Sequence, residues 1–514
     1  MAGPQARVLM VGLDAMEWTV LERLLSSGKL PNLEAFATAA SRALVRSDAE
    51  GLHGTVWPTF ATGKPPGEHG VYFWTQWLAE EMRHVRNSEP QFENTLFWAQ
   101  LAAHGMHATV IDVPHIQPLR SPGFRTITAW GLHDESIELS HPPRLLRQVR
   151  KRFGGHPLMA DTMEPASSRE KLQMSRELAR GTAMRARLAR DLAARRDWEL
   201  LIVLFAETHK AGHYLSIPTM LAEGVSNEDA MLEVLRPLDH AWPRILEAAG
   251  ADCGVFLFSP HGMVPQVAYS EMGPQILDVL AGKSPDDPFA HPDLLRRLRE
   301  LVPDRLHRAI WHRLPASVRN AREGRLGARA TDFKHDRLFA VVHDTDVAVR
   351  VNQRGRERDG LVPEEEAAGL LNDLEKFAAE LLVDDGAQAF PTVLRASDFP
   401  GPRSHRLPDM LLLANRAVRG TSSLHGPGGL KLQTARPEAR NGSHTGTGFC
   451  YYRGQGRFAE ALIDNLDFAP TILALLGVEP PAGLAGVNVF ASVRPDIGAA
   501  GVCYTARPHS LGAH

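Results

Sequence analysis

The chain has 514 residues, 44% of them hydrophobic and 23% charged, and a formal net charge of −3 at pH 7. At roughly 100–200 residues per domain, this length permits two to four domains or one large α/β domain with insertions. The absence of a basic excess argues against nucleic acid or an anionic membrane as a partner. Three cysteines without a zinc or CxxC spacing, and no apolar run of roughly 18–20 residues, predict a cytoplasmic protein that does not span a membrane.

The first predicted element is a short apolar strand, residues 8–14, which ends in the carboxylate of Asp14. A helix is predicted from about Glu17 to Ser26, because Gly28 then ends it and Pro31 prevents its continuation. Later apolar runs alternate with helical stretches; they are residues 108–113, 200–205, 254–258 and 410–413. This alternation predicts an α/β fold of three layers, α/β/α, around a central, mostly parallel sheet.

Two stretches depart from the alternating pattern. Residues 160–198 are rich in Arg, Ala, Leu, Glu and Met and predict long amphipathic helices inserted in the fold. Residues 283–335 predict a helical cap insertion beside the mouth of the active site, with a solvated helical face as the alternative. We therefore expect one catalytic domain over residues 1–490 and a loosely ordered tail over residues 491–514.

Candidate ligands and hydroxyls occur at the ends of the first strands. Asp14 suits a divalent cation, although it could equally cap the following helix. In the segment 54–70, hydroxyls precede a probable helix, whose N-terminus attracts anions. A hydroxyl there can attack phosphorus when a metal lowers its pKa. A capping threonine is the structural alternative.

Histidines supply the remaining candidate ligands. His209 and His213 follow a buried strand at a spacing of four, which on a helix places both imidazoles on one face. Glu207 precedes them. His261 follows another buried strand, and His444 lies in a glycine-rich turn where a histidine can approach a metal closely. Each of these last two, taken alone, favours a structural role.

Taken together, these segments resemble the alkaline phosphatase superfamily, in its branch of type I phosphodiesterase/nucleotide pyrophosphatase-like proteins. The resemblance covers some 450 residues in a consistent order. The matching motifs are Val11-Gly12-Leu13-Asp14, Gly28-Lys29-Leu30-Pro31-Asn32-Leu33, Thr62-Gly63, Glu68-His69-Gly70, Gly212-His213, His261-Gly262-Met263, Arg350-Val351-Asn352, Gly355-Arg356-Glu357, Pro408-Asp409, Asp467-Phe468-Ala469-Pro470-Thr471-Ile472 and Leu476-Gly477.

The resemblance implies two divalent metal ions around a Thr or Ser nucleophile. One ion would bind His209, His213 and His444, and the other would bind Asp14, His261 and the oxygen of the nucleophile, assigned to Thr55. Zinc is the expected metal because the ligands are rich in histidine, with manganese and iron as alternatives.

Three positions depart from the family pattern. The family has Asp where this chain has His209, so the site loses a negative charge. It has Asp where this chain has Pro260, which leaves the second metal one ligand short; we assign Glu207 to compensate. The usual spacing would place the nucleophile at His53 rather than Thr55, and Thr59 is the reserve candidate.

The expected activity is hydrolysis of a small-molecule phosphoester, of the phosphodiesterase or phosphatase type. Arg350, Asn352 and Arg356 are candidates to contact the substrate anion, because guanidinium groups match phosphate oxygens; an ion pair with Glu357 is the alternative. Two other functions stay open. One is a single-metal or repurposed enzyme acting on another bond in specialised metabolism, and the other is a non-catalytic binding protein on the same scaffold.

Overall fold

The structure is a computed structural model, which describes residues 7–86, 95–132, 139–160, 165, 167–216, 218–265, 269–284, 333–418, 423–433 and 442–490. Its largest sheet has nine strands. From edge to edge their order is Leu462–Asp464, Ser41–Arg46, Thr447–Arg453, Cys253–Ser259, Arg7–Leu13, Leu200–Phe205, Ala108–Ile111, Arg125–Thr128 and Leu139–His141.

The middle of this sheet is parallel. Strand Arg7–Leu13 runs parallel to both of its neighbours, Leu200–Phe205 and Cys253–Ser259. Ala108–Ile111 and Arg125–Thr128 extend the parallel set, whereas Thr447–Arg453 pairs antiparallel with both of its neighbours. Since parallel strands end on the same edge, the residues that follow the three central strands are brought together there.

Both faces of the sheet are covered, which gives the three layers. Because side chains alternate along a strand, Leu9 and Val11 pack into one apolar core and Val8 and Met10 into another. The helices Trp18–Ser26, Pro31–Ala39, Ser168–Ala193 and Asn227–Ala249 contribute to the first core. The second core takes the helix Val56–Thr62 and the turns and helices Phe97–His104 and Phe468–Leu475.

A smaller antiparallel sheet of four strands packs beside the first, in the order Leu338–Val341, Val347–Val351, Met410–Leu413 and Thr392–Arg395. The apolar run 410–413 therefore forms a strand as predicted, but in this second sheet. The remaining strands form three antiparallel pairs: Thr75–Leu78 with Arg83–Arg86, Gly262–Pro265 with Gly442–Thr445, and Ser423–His425 with Lys431–Gln433.

The helices not yet given are mostly short. The further α-helices are Ala49–Leu52, Pro66–His69, Arg144–Phe153, Pro157–Ala160, Glu207–Leu215, Gly273–Leu280 and Glu364–Ala379. The further 3₁₀ turns are His53–Thr55, Ala222–Gly224, Ser270–Met272, Ala396–Asp398, Ser404–Arg406, Pro427–Gly429 and Asn465–Asp467. None of the helices in the described ranges is long and apolar enough to cross a membrane.

The sequence-based elements compare closely with these bounds. The first helix begins at Trp18 after Glu17, whose carboxylate accepts a hydrogen bond from the Thr19 backbone N–H, and it ends at Ser26. The stretch 160–198 contains the long helix Ser168–Ala193, which begins with a capping box of Ser167 and Glu170. The predicted cap lies almost wholly outside the described residues, and the predicted tail lies outside them entirely.

Candidate metal centre

Asp14 lies at the carboxyl end of the central strand and holds two aromatic side chains. Its Oδ1 accepts a hydrogen bond from Nε1 of Trp57 at 2.8 Å, and its Oδ2 lies 2.8 Å from Nδ1 of His209. An ionised carboxylate only accepts hydrogen bonds, so Nδ1 of His209 carries the proton. The lone pair of His209 is therefore on Nε2, where a carboxylate partner also makes it more basic.

His209 and His213 lie on one face of the helix Glu207–Leu215, as their spacing predicts. Their Nε2 atoms are 3.0 Å apart. Nδ1 of His213 donates to the carbonyl oxygen of Gly442 at 3.0 Å, because a carbonyl cannot donate. In the neutral rings both lone pairs consequently point at each other. That approach is favourable only when a proton or a cation lies between the two nitrogens.

His444 completes a group of three imidazoles. It belongs to the strand Gly442–Thr445, which is aligned by antiparallel pairing with Gly262–Pro265. The ring centroid of His444 lies 4.9 Å from that of His209 and 5.3 Å from that of His213. One ligand nitrogen from each of the three lies within 4.8 Å of the other two. Three imidazoles with a remaining open position are a ligand set of catalytic zinc sites.

His261 joins this cluster at the end of strand Cys253–Ser259. Its Nε2 lies 3.7 Å from Oδ1 of Asp14, and its ring centroid lies 5.1 Å from that of His444. The Ser259 hydroxyl donates to the His261 carbonyl oxygen at 2.7 Å and fixes the turn. Nδ1 of His261 and Nδ1 of His444 are buried without a hydrogen-bond partner among the described residues. Such nitrogens are costly to bury unless something binds them.

The charge states of these groups suit a cation. Burial lowers the pKa of His261 to about 4 and holds the pKa of His444 well below the usual value for histidine. Burial also raises the pKa of Asp14, but the neighbouring His209 more than offsets this, so the net shift is downward. Near neutral pH the two imidazoles therefore keep their lone pairs and Asp14 keeps its negative charge.

Two further residues enter the same cavity. The ring of His53 stacks on His444, with centroids 4.7 Å apart and planes inclined by 15°. Asp344, His53 and His444 form a second group whose ligand atoms lie within 4.8 Å of one another. The carboxylates and histidines lining this cavity are Asp14, Asp344, His53, His115, His209, His213, His261 and His444.

A glycine allows His53 to reach this position. A Cβ atom at Gly54 would lie 2.4 Å from Cα of Phe73 and 2.5 Å from the carbonyl oxygen of Tyr72. Only glycine permits so close an approach of two backbones. The rings of His53 and Phe73 are then in a T-shaped contact, with centroids 5.0 Å apart.

Glu207 lies apart from the histidines. Both of its carboxylate oxygens accept from Nε of Arg185, at 3.1 and 3.3 Å, and Oε1 lies 2.8 Å from Nε2 of His156. Arg185 also donates to Asp112 at 2.6 Å, and all four side chains are buried. Residues two apart on a helix do not face each other, which is why Glu207 points away from His209. The structure therefore does not bring Glu207 to the metal ligands as the sequence analysis expected.

The threonines are likewise held elsewhere. The hydroxyl of Thr55 donates to the carbonyl oxygen of Leu52 at 2.7 Å, and the side chain is fully buried. Thr59, the reserve candidate, has its hydroxyl 3.1 Å from Nε2 of His69. Neither threonine lines the cavity, whereas His53, at the position where the family spacing would place the nucleophile, does.

The three proposed anion contacts do not line the cavity either. Arg350 is buried and donates to Glu357 at 2.7 and 3.1 Å, while Arg356 makes a two-pronged bond to Asp409, with both distances 2.6 Å. The Asn352 side-chain amide donates to two backbone carbonyls at 3.0 Å. The ion pair with Glu357, which the sequence analysis kept as the alternative, is the arrangement observed.

Sequence reasoning missed Asp344 and gave His53 no role beyond its spacing. Asp344 belongs to the loop between strands Leu338–Val341 and Val347–Val351 of the second sheet. A His-Asp-x-Asp run between two short strands was the available signal. Its relation to His444 depends on how the two sheets pack, which no local pattern reveals.

The chain is similar to one known protein family and to several solved structures. The sequence profile of the family "Type I phosphodiesterase / nucleotide pyrophosphatase" matches residues 8–444. None of the curated proteins compared with the chain matches it in sequence. Among solved structures, human ectonucleotide pyrophosphatase / phosphodiesterase 5 is 12% identical, with a TM-score of 0.51 over 92% of this chain and 96% of that one.

Two further structures are similar. The alkaline phosphatase PafA is 13% identical, with a TM-score of 0.51 over 96% of this chain and all of that one (100%). Phosphonoacetate hydrolase from Sinorhizobium meliloti 1021 is 15% identical, with a TM-score of 0.48 over 92% of this chain and 96% of that one. The family match and the two structures with a TM-score of 0.51 confirm the predicted superfamily and α/β fold. The chain belongs to the type I phosphodiesterase / nucleotide pyrophosphatase family of the alkaline phosphatase superfamily and is a hydrolase of phosphoester bonds.

Proposed function

We propose that this hydrolase depends on a divalent cation held by His209, His213 and His444, and that it acts on a small-molecule phosphoester. The observation that carries the proposal is the approach of two Nε2 atoms to 3.0 Å, while both Nδ1 protons are donated elsewhere. A cation bound by both residues would relieve that repulsion. Zinc suits three imidazoles best, with manganese and iron as alternatives.

The protein residues around this cation have separate tasks. When bound, it would polarise a phosphoryl oxygen and stabilise the charge that develops during displacement. Asp14 fixes the tautomer of His209, and the Gly442 carbonyl does the same for His213. Trp57, which donates to Asp14 and makes a T-shaped contact with His261, contributes an apolar ring to the wall of this cavity. A drier site strengthens each electrostatic interaction within it.

Thr55 remains the attacking group only as a prediction from the family resemblance. To attack a substrate in the cavity, its hydroxyl would have to leave the Leu52 carbonyl oxygen and turn outward. The short segment His53–Thr55 precedes the helix Val56–Thr62, so the hydroxyl starts near a helix N-terminus. The cytoplasmic location also remains a prediction.

Metal content and activity test the proposal together. Full-length protein is stripped with a chelator and reloaded with zinc, and its metal is counted by elemental analysis. Hydrolysis of bis(p-nitrophenyl) phosphate and p-nitrophenyl phosphate is then followed. The variant His213→Gln should lose the metal of this group and at least about a thousandfold in kcat/KM, roughly 4 kcal/mol. Exposed His240, changed to Gln, is the matched control and should change neither quantity.

Wild-type protein that binds no divalent metal would refute the metal dependence. Protein that binds metal but hydrolyses neither ester would favour the repurposed-enzyme or binding-protein alternatives. A His213→Gln variant with full metal content would show that the cation lies elsewhere in the cavity.

A further inference from the structure

We propose that His53 and Asp344 hold a second cation beside His444, separate from the cation at His209 and His213. This inference rests on the proposed metal dependence and names a different second site from the one that the family resemblance implies. The ligand atoms of His53, Asp344 and His444 lie within 4.8 Å of one another, as do those of His209, His213 and His444.

The second metal site that the family resemblance implies, at Asp14 and His261, has few ligand side chains in this chain. Asp14 and His261 approach to 3.7 Å, but Pro260 offers no ligand side chain, and Glu207 is committed to Arg185. Both oxygens of Asp14 are also occupied, one by Trp57 and the other by His209. Asp14 therefore serves as an orienting partner of His209, which leaves His261 as the one uncommitted ligand side chain of that pair.

The loop that carries Asp344 is anchored beside His444. The Ser270 hydroxyl donates to the Asp344 carbonyl oxygen at 2.7 Å. The hydroxyls of Thr345 and Ser443 lie 3.1 Å apart, which joins the loop to the residue before His444. Oδ1 of Asp346 accepts from the Ala414 backbone N–H at 2.9 Å. These bonds hold the loop around Asp344 in place through its backbone and the neighbouring side chains.

His53 is held from three sides. Its ring stacks on His444, meets Phe73 in a T-shaped arrangement, and lies 5.1 Å from the centroid of His343. His343 is itself fixed by a 2.7 Å bond from Nε2 to the Gly51 carbonyl oxygen. His53 and Asp344 are both half-buried, so the second position lies nearer the solvent than the fully buried part of the cluster.

The charge of the cavity argues for a second cation. The carboxylates that line it are Asp14 and Asp344, with two negative charges between them. One divalent ion would only neutralise them, whereas a second would leave a positive site for an anionic ester. A neutral imidazole has one lone pair, so His444 is a full ligand of one ion at a time. An ion held by His53 and Asp344 would therefore be available to bind a substrate oxygen.

Counting ions in matched variants tests this inference. Full-length protein is stripped, loaded with Co²⁺ and freed of excess metal, and its cobalt content and visible spectrum are measured. We expect about two ions per chain in the wild type and about one in both His53→Gln and Asp344→Asn, with correspondingly weaker absorption. His343→Gln is the control for packing, since this side chain touches His53 outside the group, and it should retain about two ions.

Three results would overturn the inference. The first is that His53→Gln and Asp344→Asn both bind as much cobalt as the wild type. The second is that His343→Gln loses as much cobalt as they do, since packing would then explain the loss. The third is wild-type protein without metal, which would refute the proposed function as well, whereas the first two leave it standing. Thermal unfolding in chelator, expected to match the wild type, shows that each variant is folded.

Discussion

The carboxylate of Asp14 lies 2.8 Å from Nδ1 of His209, on the side of the ring opposite the nitrogen that approaches His213. Asp14→Asn keeps the shape of this contact but removes the charge that favours a protonated Nδ1. We expect the affinity for zinc or cobalt to fall about 10–100-fold, the usual effect of losing such a partner. Competition with a chromophoric chelator measures it.

Trp57→Phe is the matched control for Asp14. It removes the other hydrogen bond to the same carboxylate, at 2.8 Å, but leaves the contact with His209 in place. Its affinity should therefore stay closer to the wild-type value than that of Asp14→Asn. Equal losses in the two variants would mean that the Asp14 charge does not act through His209.

The variant Glu207→Gln distinguishes two roles of Glu207, that of a metal ligand and that of a partner in a structural ion pair with Arg185. Because the substitution leaves Arg185 buried with one carboxylate fewer, we expect the free energy of unfolding to fall by about 3–5 kcal/mol. The metal content of the folded protein should not change. Urea denaturation and elemental analysis provide the two readings, and loss of one metal ion with little loss of stability would restore the sequence-based assignment of Glu207.

Sequence patterns identified most of the fold and of the histidine cluster. The apolar run 8–14 predicted both the central strand and the position of Asp14, because a parallel strand buried on both faces has a distinctive composition. The spacing of His209 and His213 predicted their common face, because helical periodicity is local. Such features depend only on neighbouring residues.

The failures have a common physical origin. Glu207 comes two residues after the strand Leu200–Phe205. Its orientation is nevertheless set by its ion pair with Arg185, which lies on the separate long helix Ser168–Ala193. A ligand atom of Asp344 lies within 4.8 Å of one of His444 because the four-stranded sheet packs beside the histidine cluster. Such contacts between distant segments depend on tertiary packing, and a single sequence contains no periodicity that reports them.

Thr55→Val tests the predicted nucleophile with a side chain of nearly the same shape. Since the hydroxyl donates to the Leu52 carbonyl, we expect a loss of about 1–3 kcal/mol in stability and, with Thr55 as the attacking group, abolished turnover at unchanged metal content. Thr55→Ser, which keeps a hydroxyl, is the control. Retained turnover in Thr55→Val would show that Thr55 is not the attacking group.

Arg356→Ala addresses the predicted contact with the substrate anion. Its guanidinium binds Asp409 through two hydrogen bonds of 2.6 Å, so the main effect should be on stability, about 1.5–3 kcal/mol. KM for a phosphodiester should change less than about twofold, because this side chain does not line the cavity. Exposed Arg354, changed to Ala, is the control. A tenfold rise in KM at unchanged stability would contradict this expectation.

His69 predicts a pH dependence of stability. Burial, with Arg403 nearby, lowers its pKa from 6.5 to about 3. Between these two values the unfolded chain binds more protons than the folded one, so stability rises with pH. The stability that the neutral His69 contributes is fully present above about pH 6.5 and is lost as the pH falls towards about 3. Between pH 7.5 and pH 5 the loss from this group should be about 2 kcal/mol.

The hydrogen bonds of His69 explain why the folded protein keeps it neutral. Nδ1 accepts from the Val71 backbone N–H at 3.1 Å, so a proton on that nitrogen would break the bond, while Nε2 faces the hydroxyl of Thr59. His69→Gln cannot titrate, and its unfolding free energy should fall less between pH 7.5 and pH 5, by about 2 kcal/mol. Urea unfolding in chelator measures this without metal release. Equal falls in variant and wild type would mean that His69 does not limit acid stability.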